Sequence, residues 1–550
     1  MSSEPASASS ATAIPVDIRR FPWIRRLATD YAFAYDRVRP FFAGDPATPG
    51  AWADAITRTQ AHLRAPAELA HVLSAQQERR GAPAAARAAA ADLAHPQTVA
   101  IVTGQQAGLF GGPIFTLLKA LTAMKLAAEV SRDHGVRVVP IFWIDAEDHD
   151  WPEVSGCTVL DGELVPHTIR LADLDGAGDL PIARLTLDAG IEAAHAALAD
   201  ALPATEFTPA LLDSLRAAYQ PGVGMAEAFG RLLEQVLGPH GLVVYDSSDP
   251  AAKPLAQDVF AREIANAGTT ASLAATAGHA LAAQGYHAQV TPGDGSLSLF
   301  YLNGGREAVK YQGDTAIVGD QRQPLLTLVE EARTAPAHFS PNVLLRPLVQ
   351  DTIFPTICYI AGPNELAYLG QLRDVYEHFG VPMPLMYQRA TATIVDSAAV
   401  RFLSKYEVPL EALQRQDESV LNQLLEDQLP PSVEQALADA AEVLRERMQA
   451  VAAVVPQIDP TLAGAVRSTE SRMEQDLRTL HSKVIQAAKR RDETLRRQFH
   501  RAQGQAFPHG HPQEREVGLV WLLNRYGPAV VDRLLETLPL EMGRHWVLTI

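Results

Sequence analysis

V-A-I-V-T-G-Q-Q-A-G-L-F-G-G-P (residues 99–113) and, one helix-length later, V-R-V-V-P-I-F-W-I-D-A-E-D-H-D (residues 136–150) decide how this chain folds. Residues 99–102 are apolar and mostly β-branched, the composition of a buried parallel strand. Gly104, Gly108, Gly111 and Gly112 allow a tight turn and a close approach to the backbone. Pro113 suits a first helical turn, and Leu117, Leu121, Met124 and Ala128 follow at helical spacing. The second apolar run then ends in polar residues. A βαβ unit with ligands at the carboxyl ends of its strands is the economical reading.

The glycine spacing is neither the dinucleotide fingerprint nor a Walker A loop. Thr103, Gly104, Gln105, Gln106, Gly108 and Gly111 form either a plain βα turn or one whose N–H groups receive a phosphate. Lys119, on the helix, is its candidate counter-charge. Asp145, Glu147, Asp148 and Asp150 crowd around His149. Four carboxylates this close need a cation: a metal ion, a substrate ammonium or arginines from elsewhere. The alternative is a solvated acidic loop.

Working outward, 550 residues imply two or three domains. A net charge of -17 argues against nonspecific nucleic-acid binding. Cys157 and Cys358 alone make no disulfide scaffold, and a reducing, cytoplasmic setting is expected. No apolar run reaches the roughly 18 residues of a membrane span. Residues 1–16 are Ser/Ala-rich and are expected to form a disordered arm, not a secretory signal.

Strands alternating with helices over 17–395 imply an α/β, Rossmann-like, doubly wound parallel sheet, with inserted subdomains at about 155–240 and 255–340. Residues 396–550 read as a C-terminal α-helical domain. Val433, Leu437, Ala440, Leu444, Met448 and Val451, then Val466, Met473, Leu477, Leu480 and Val484, mark a heptad-like seam around Pro456 and Pro460. An antiparallel coiled coil at about 432–500, and a homodimer through it, are expected. A basic run (Lys489, Arg490, Arg491, Arg496, Arg497, Arg501) reads as a solvated face or an anion site.

Other strand ends carry polar groups. Arg346 and Gln350 share a helix face, followed by Asp351, and Arg346 is placed to clamp a carboxylate or phosphate. Asn364 and Glu365 follow Gly362-Pro363, and Arg389 lies beyond the next strand. Capping or structural pairing is the alternative for each.

The 103–113 and 142–150 blocks resemble the bacillithiol-biosynthesis cysteine-adding enzymes, or cysteine ligases. S-P-N-V-L-L-R-P-L-V-Q-D (340–351), A-G-P-N-E-L-A-Y (361–368) and, more weakly, P-H-G-H-P-Q-E-R (508–515) extend the resemblance from about residue 21 onward. Ser155-Gly156 depart from the Asn-His common in that family. The resemblance implies a carbon–nitrogen ligase joining cysteine to the amino group of glucosaminyl-malate, the last step of bacillithiol biosynthesis. ATP with Mg²⁺ is the expected activator. It also implies a core like the nucleotide-binding fold of class I synthetases, yet their H-x-G-H and K-M-S-K-S motifs are absent. His509-Gly510-His511 is one residue short.

In that chemistry His149 is the candidate base for the attacking amine. Asp145, Glu147 and Asp148 would orient it, or hold Mg²⁺ or the cysteine ammonium. Without C-x-x-C, no thiolate zinc site is expected. The partners expected are small molecules, with neither nucleic acid nor membrane. Two other readings stand: a metal-dependent hydrolase or nucleotidyltransferase using the 145–150 cluster, and a non-catalytic coiled-coil assembly protein.

Overall fold

Five apolar runs align as one parallel sheet: β1 Val99–Gln105, β2 Val138–Ile144, β3 Val243–Asp246, β4 Thr356–Ala361 and β5 Leu385–Gln388. The computed structural model describes residues 12–550 apart from 294, 428–430 and 492, and the side chains of all of these except 12, 431 and 488–491. The strand order is β5-β4-β1-β2-β3, with every pairing parallel. The chain winds one way from β1 to β3 and the other way through β4 and β5. A crevice therefore opens where β1 and β4 diverge at their carboxyl ends.

α1, Ile114–His134, returns the chain from β1 to β2. Pro113 precedes it, and Gly135 ends it at φ 65, a left-handed cap that glycine adopts without strain. Two long segments separate the strands. Between β2 and β3 lie the hairpin Gly156–Leu160 with Pro166–Arg170 and the helices Gly190–Ala201, Thr208–Ala218 and Met225–Leu237. Between β3 and β4 lies a five-stranded antiparallel sheet that includes Ser296–Asn303, Gly305–Gln312 and Phe339–Pro341. α2, Arg346–Ile353, then leads into β4.

The disordered-arm expectation needs correction over residues 12–16. Thr12–Asp17 pairs antiparallel with Arg544–Thr549, which also pairs in parallel with Thr391–Ile394. Val16 and Ile18 are buried. No local pattern announces this strand, because its partner comes from the other end of the chain. Residues 1–11 lie outside the described residues.

By packing, one unit runs to Ile394 and takes in Gln513–Ile550, and the other is Val395–Pro512. The helical part expected over 396–550 is thus shorter in space than in sequence. Trp521 is buried in the first unit's core beside Phe110 and Leu117. In the second unit, α3 Pro431–Val454 and α4 Ala463–Arg491 form the coiled-coil hairpin around the proline turns. His481 Nε2 lies 3.1 Å from Glu434 Oε1 and Arg445 Nε 3.8 Å from Glu474 Oε1, a pattern that antiparallel helices create. Of the basic run, the Lys489, Arg490 and Arg491 side chains lie outside the described residues, and Arg501 pairs with Asp396 at 2.9 Å. Among the described residues no helix is long and apolar enough to cross a membrane.

Candidate active site

A cavity of about 530 Å³ opens over the carboxyl ends of β1, β2 and β4. Gly104, Gln105 and Gln106 enter from β1 and its turn. Trp143, Asp145 and Asp148 come from β2 and beyond, Tyr359 from β4, Glu365 from the loop after it, and Arg346 and Gln350 from α2. The second insertion adds Phe300, Arg306 and Asn342.

Protein cations answer the acidic cluster. Asp145 pairs with Arg346. Glu147 is buried beneath the cavity, held by Lys253 and by Ser340 Oγ at 3.1 Å. Asp148 lies 3.7 Å from Arg306 Nη1 and accepts a hydrogen bond from Gln106 Nε2 at 2.5 Å. Asp150 caps the short helix Trp151–Val154 by accepting from the Glu153 N–H. Among the described residues, no group of three or more His, Cys, Asp or Glu side chains is placed to hold a metal ion. His149 stands at the rim, not in the wall. Its side chain is 49 % exposed and its Nδ1 is 3.4 Å from Arg306 Nη1.

The glycine turn differs from a phosphate cradle. The N–H groups of Gly108, Gly111 and Gly112 donate to the carbonyls of Gln106, Gly108 and Leu109, and that of Ile114 donates to Val517. These amides are therefore occupied within the protein. Thr103 is buried, its Oγ1 donating to the Ile360 carbonyl between strands, and Gly111 is buried as well. Gly104 is glycine for a packing reason: a Cβ there would stand 2.7 Å from the Trp143 carbonyl oxygen. Lys119 is not a surface lysine. It is buried, donates to the Gly104 carbonyl at 2.8 Å and pairs with Glu365 at 3.0 Å.

Arg346 and Gln350 reach the cavity from one face of α2. Asp351 lies behind it, fully buried, accepting from Tyr376 Oη and from Gln350 Nε2 at 2.9 Å. Asn364 is half-buried outside the wall, with Oδ1 unpartnered. Arg389 is turned away into a buried two-point pair with Glu514, at 2.7 and 3.0 Å.

Sequence reasoning missed Trp143, Glu153, Phe300, Arg306, Asn342 and Tyr359. Only Gly304-Gly305, the hairpin turn before Arg306, signals that an arginine is projected there. Its guanidinium lies 3.8 Å from the Phe300 ring centroid, a cation–π stack that fixes it over the cavity. Three buried polar atoms of the wall have no partner: Gln106 Oε1, Trp143 Nε1 and Arg306 Nε. An unsatisfied buried polar atom costs about 1–3 kcal/mol, which a ligand with matching groups removes.

A second cavity of about 350 Å³ shares Gln105, Gln106 and Glu153 with the first. Its other walls include Phe115, Cys157, Thr158, Arg170, Arg515 and Glu516. Burial pushes the Cys157 thiol up to about 12, so it stays protonated.

Residues 14–390 match the family described as "Bacillithiol biosynthesis BshC, N-terminal Rossmann-like domain", and residues 392–550 match its "C-terminal coiled-coil domain". A Salinibacter ruber protein named "Putative cysteine ligase BshC" is 34% identical over 546 residues, covering 97% of each chain. Proteins of the same name from Chlorobaculum tepidum and Symbiobacterium thermophilum are each 34% identical. The first alignment covers 81% of this chain and 82% of the relative, the second 82% and 84%. With both family domains matched in order and the strand-end blocks gathered around one sheet, this chain belongs to the BshC family of bacillithiol biosynthesis.

Proposed function

We propose that the protein joins the carboxyl of L-cysteine to the amino group of glucosaminyl-malate, the last step of bacillithiol biosynthesis, after ATP activates the cysteine carboxylate. The relatives' name supports a cysteine ligase. The observation that carries the substrate reading is the convergence of Arg306 and Arg346 on one wide cavity, beside the unpartnered Trp143 Nε1 and Gln106 Oε1. Malate brings two carboxylates to those donors, and the sugar hydroxyls and amine serve the acceptors. Asp148 and Asp145 hold the two guanidinium groups in place before the ligand arrives.

The cavity carboxylates do not suit Mg²⁺. Asp145, Asp148 and Glu365 each face an arginine or a lysine. Any Mg²⁺ accompanies the nucleotide's phosphates, and the metal-dependent hydrolase or nucleotidyltransferase reading loses its donor set. We also place the enzyme in the cytoplasm and a homodimer contact on the hairpin, where Val443, Val454 and Leu480 are exposed. Sedimentation checks the latter. The test of function is incubation with cysteine, glucosaminyl-malate and ATP. A thiol with the summed mass of both substrates less one water is expected, and hydrolysis without condensation overturns the reading.

A further inference from the structure

The two cavities meet at a wall formed by Gln105, Gln106 and Glu153. Each other carboxylate of the first cavity has a cationic partner: Asp145 has Arg346, Asp148 has Arg306 and Glu365 has Lys119. Among the described residues Glu153 makes no salt bridge: Gln106 hydrogen-bonds to it, Asp150 and Asp148 repel it, and Lys119 and Arg515 act on it from beyond ion-pair distance. Glu153 is exposed along the cavity edge, where partial desolvation and the two aspartates hold its carboxyl above the usual range. An ion-paired carboxylate spends its lone pairs on its partner, whereas Glu153, hydrogen-bonded by Gln106 alone, keeps lone pairs to accept a proton.

The second cavity has the opposite character. Arg170 and Arg515 line it without an ion-pair partner among the described residues, while Glu516 in the same wall accepts from Thr158. Burial and the nearby Arg389 disfavour the Arg515 charge by more than Glu514, Glu365 and Glu153 favour it. Arg515 also borders Phe115, its guanidinium carbon 5.9 Å from the ring centroid. Neither arginine forms a salt bridge with the wall's own carboxylates, Glu153 and Glu516.

Building on the ligase reading, we propose that the second cavity seats the activated acyl donor, its phosphoryl group drawn to Arg170 and Arg515. Glu153, in the shared wall, is then the base for the amine that arrives through the first cavity. The neutral amine attacks the acyl carbon and a C–N bond forms. The proton shed by the nitrogen passes to the Glu153 carboxylate and on to water. The C–O bond to the phosphoryl group breaks, and its electron pair leaves with phosphate or AMP. His149, facing Arg306 at the rim, stands outside this transfer.

The test compares two acceptors on the full-length protein at saturating cysteine and ATP: glucosaminyl-malate, whose amine needs a base, and hydroxylamine, which does not. Glu153→Gln should lose amide formation by about 10²- to 10⁴-fold while still yielding cysteinyl hydroxamate at the wild-type rate. Retained hydroxamate also proves that the variant folds and makes the acyl donor. Glu153→Asp, which keeps a carboxylate, should recover part of the loss. Arg170→Gln with Arg515→Gln should raise the KM for ATP or cysteine and depress both products together, and the single variants serve if the pair fails to fold. A wild-type amide rate in Glu153→Gln, or equal loss of both products, overturns the base assignment. Unchanged KM values in the arginine variants overturn the donor site. Wild-type protein that forms neither product overturns the ligase reading itself, and this inference with it.

Discussion

Lys119 Nζ lies 3.0 Å from Glu365 Oε2 and 2.8 Å from the Gly104 carbonyl oxygen, fastening the end of β1 to the loop after β4. The lysine is a bolt under the cavity floor. Lys119→Ala leaves Glu365 without its cation and should destabilise the protein by about 3 kcal/mol, read by urea denaturation. Lys119→Met with Glu365→Gln should recover much of that. Unchanged stability with weakened nucleotide binding would return Lys119 to the phosphate role.

Gly104 makes a sharper packing prediction. The atom that would meet its Cβ is the Trp143 carbonyl oxygen, which is backbone and cannot swing aside. Gly104→Ala should push β1 from β2 and cost about 1–3 kcal/mol. Wild-type melting of that variant would show that the glycine is there for a ligand.

Asp351 ties stability to pH. Burial outweighs its hydrogen bonds from Tyr376, Gln350 and Thr356 and raises its carboxyl from 3.8 to about 6. The folded state thus holds this proton more tightly than the unfolded one. Its contribution is full below pH 3.8 and is lost as pH rises through about 6, a change of roughly 3 kcal/mol. Asp351→Asn cannot ionise, so its stability relative to wild type should climb by that amount over the same window. Parallel denaturation curves across pH would contradict this.

Arg306 should govern one substrate only. Arg306→Ala removes a charge-assisted contact and should raise the KM for glucosaminyl-malate by about 10- to 100-fold, leaving that for cysteine little changed. An equal rise for both would show that Arg306 shapes the cavity without recognising malate.

The parallel sheet was legible because its strands are local apolar runs punctuated by glycine and proline. Arg346 and Gln350 were legible because Pro347 marks where their helix begins. The acidic cluster declared a need for cations without naming them, since Arg306 and Lys253 come from a hairpin and a short 3-10 helix far along the chain. His149 drew attention by its company, yet the backbone turns it to the rim. Glu153, three residues past the cluster, belongs to no motif. Only the fold shows that it stands between two cavities. The strand at Thr12–Asp17 was hidden for the same reason as Arg306: its partner is remote.

The central claim is that the cysteine carboxylate is activated by phosphoryl or adenylyl transfer and then captured by the amine. Cysteine carrying ¹⁸O in its carboxyl group, incubated with glucosaminyl-malate, ATP and the protein, tests it most directly by mass spectrometry. The account predicts that each amide formed sends one labelled oxygen into phosphate or AMP. Amide without label in either product, or no amide at all, would contradict it.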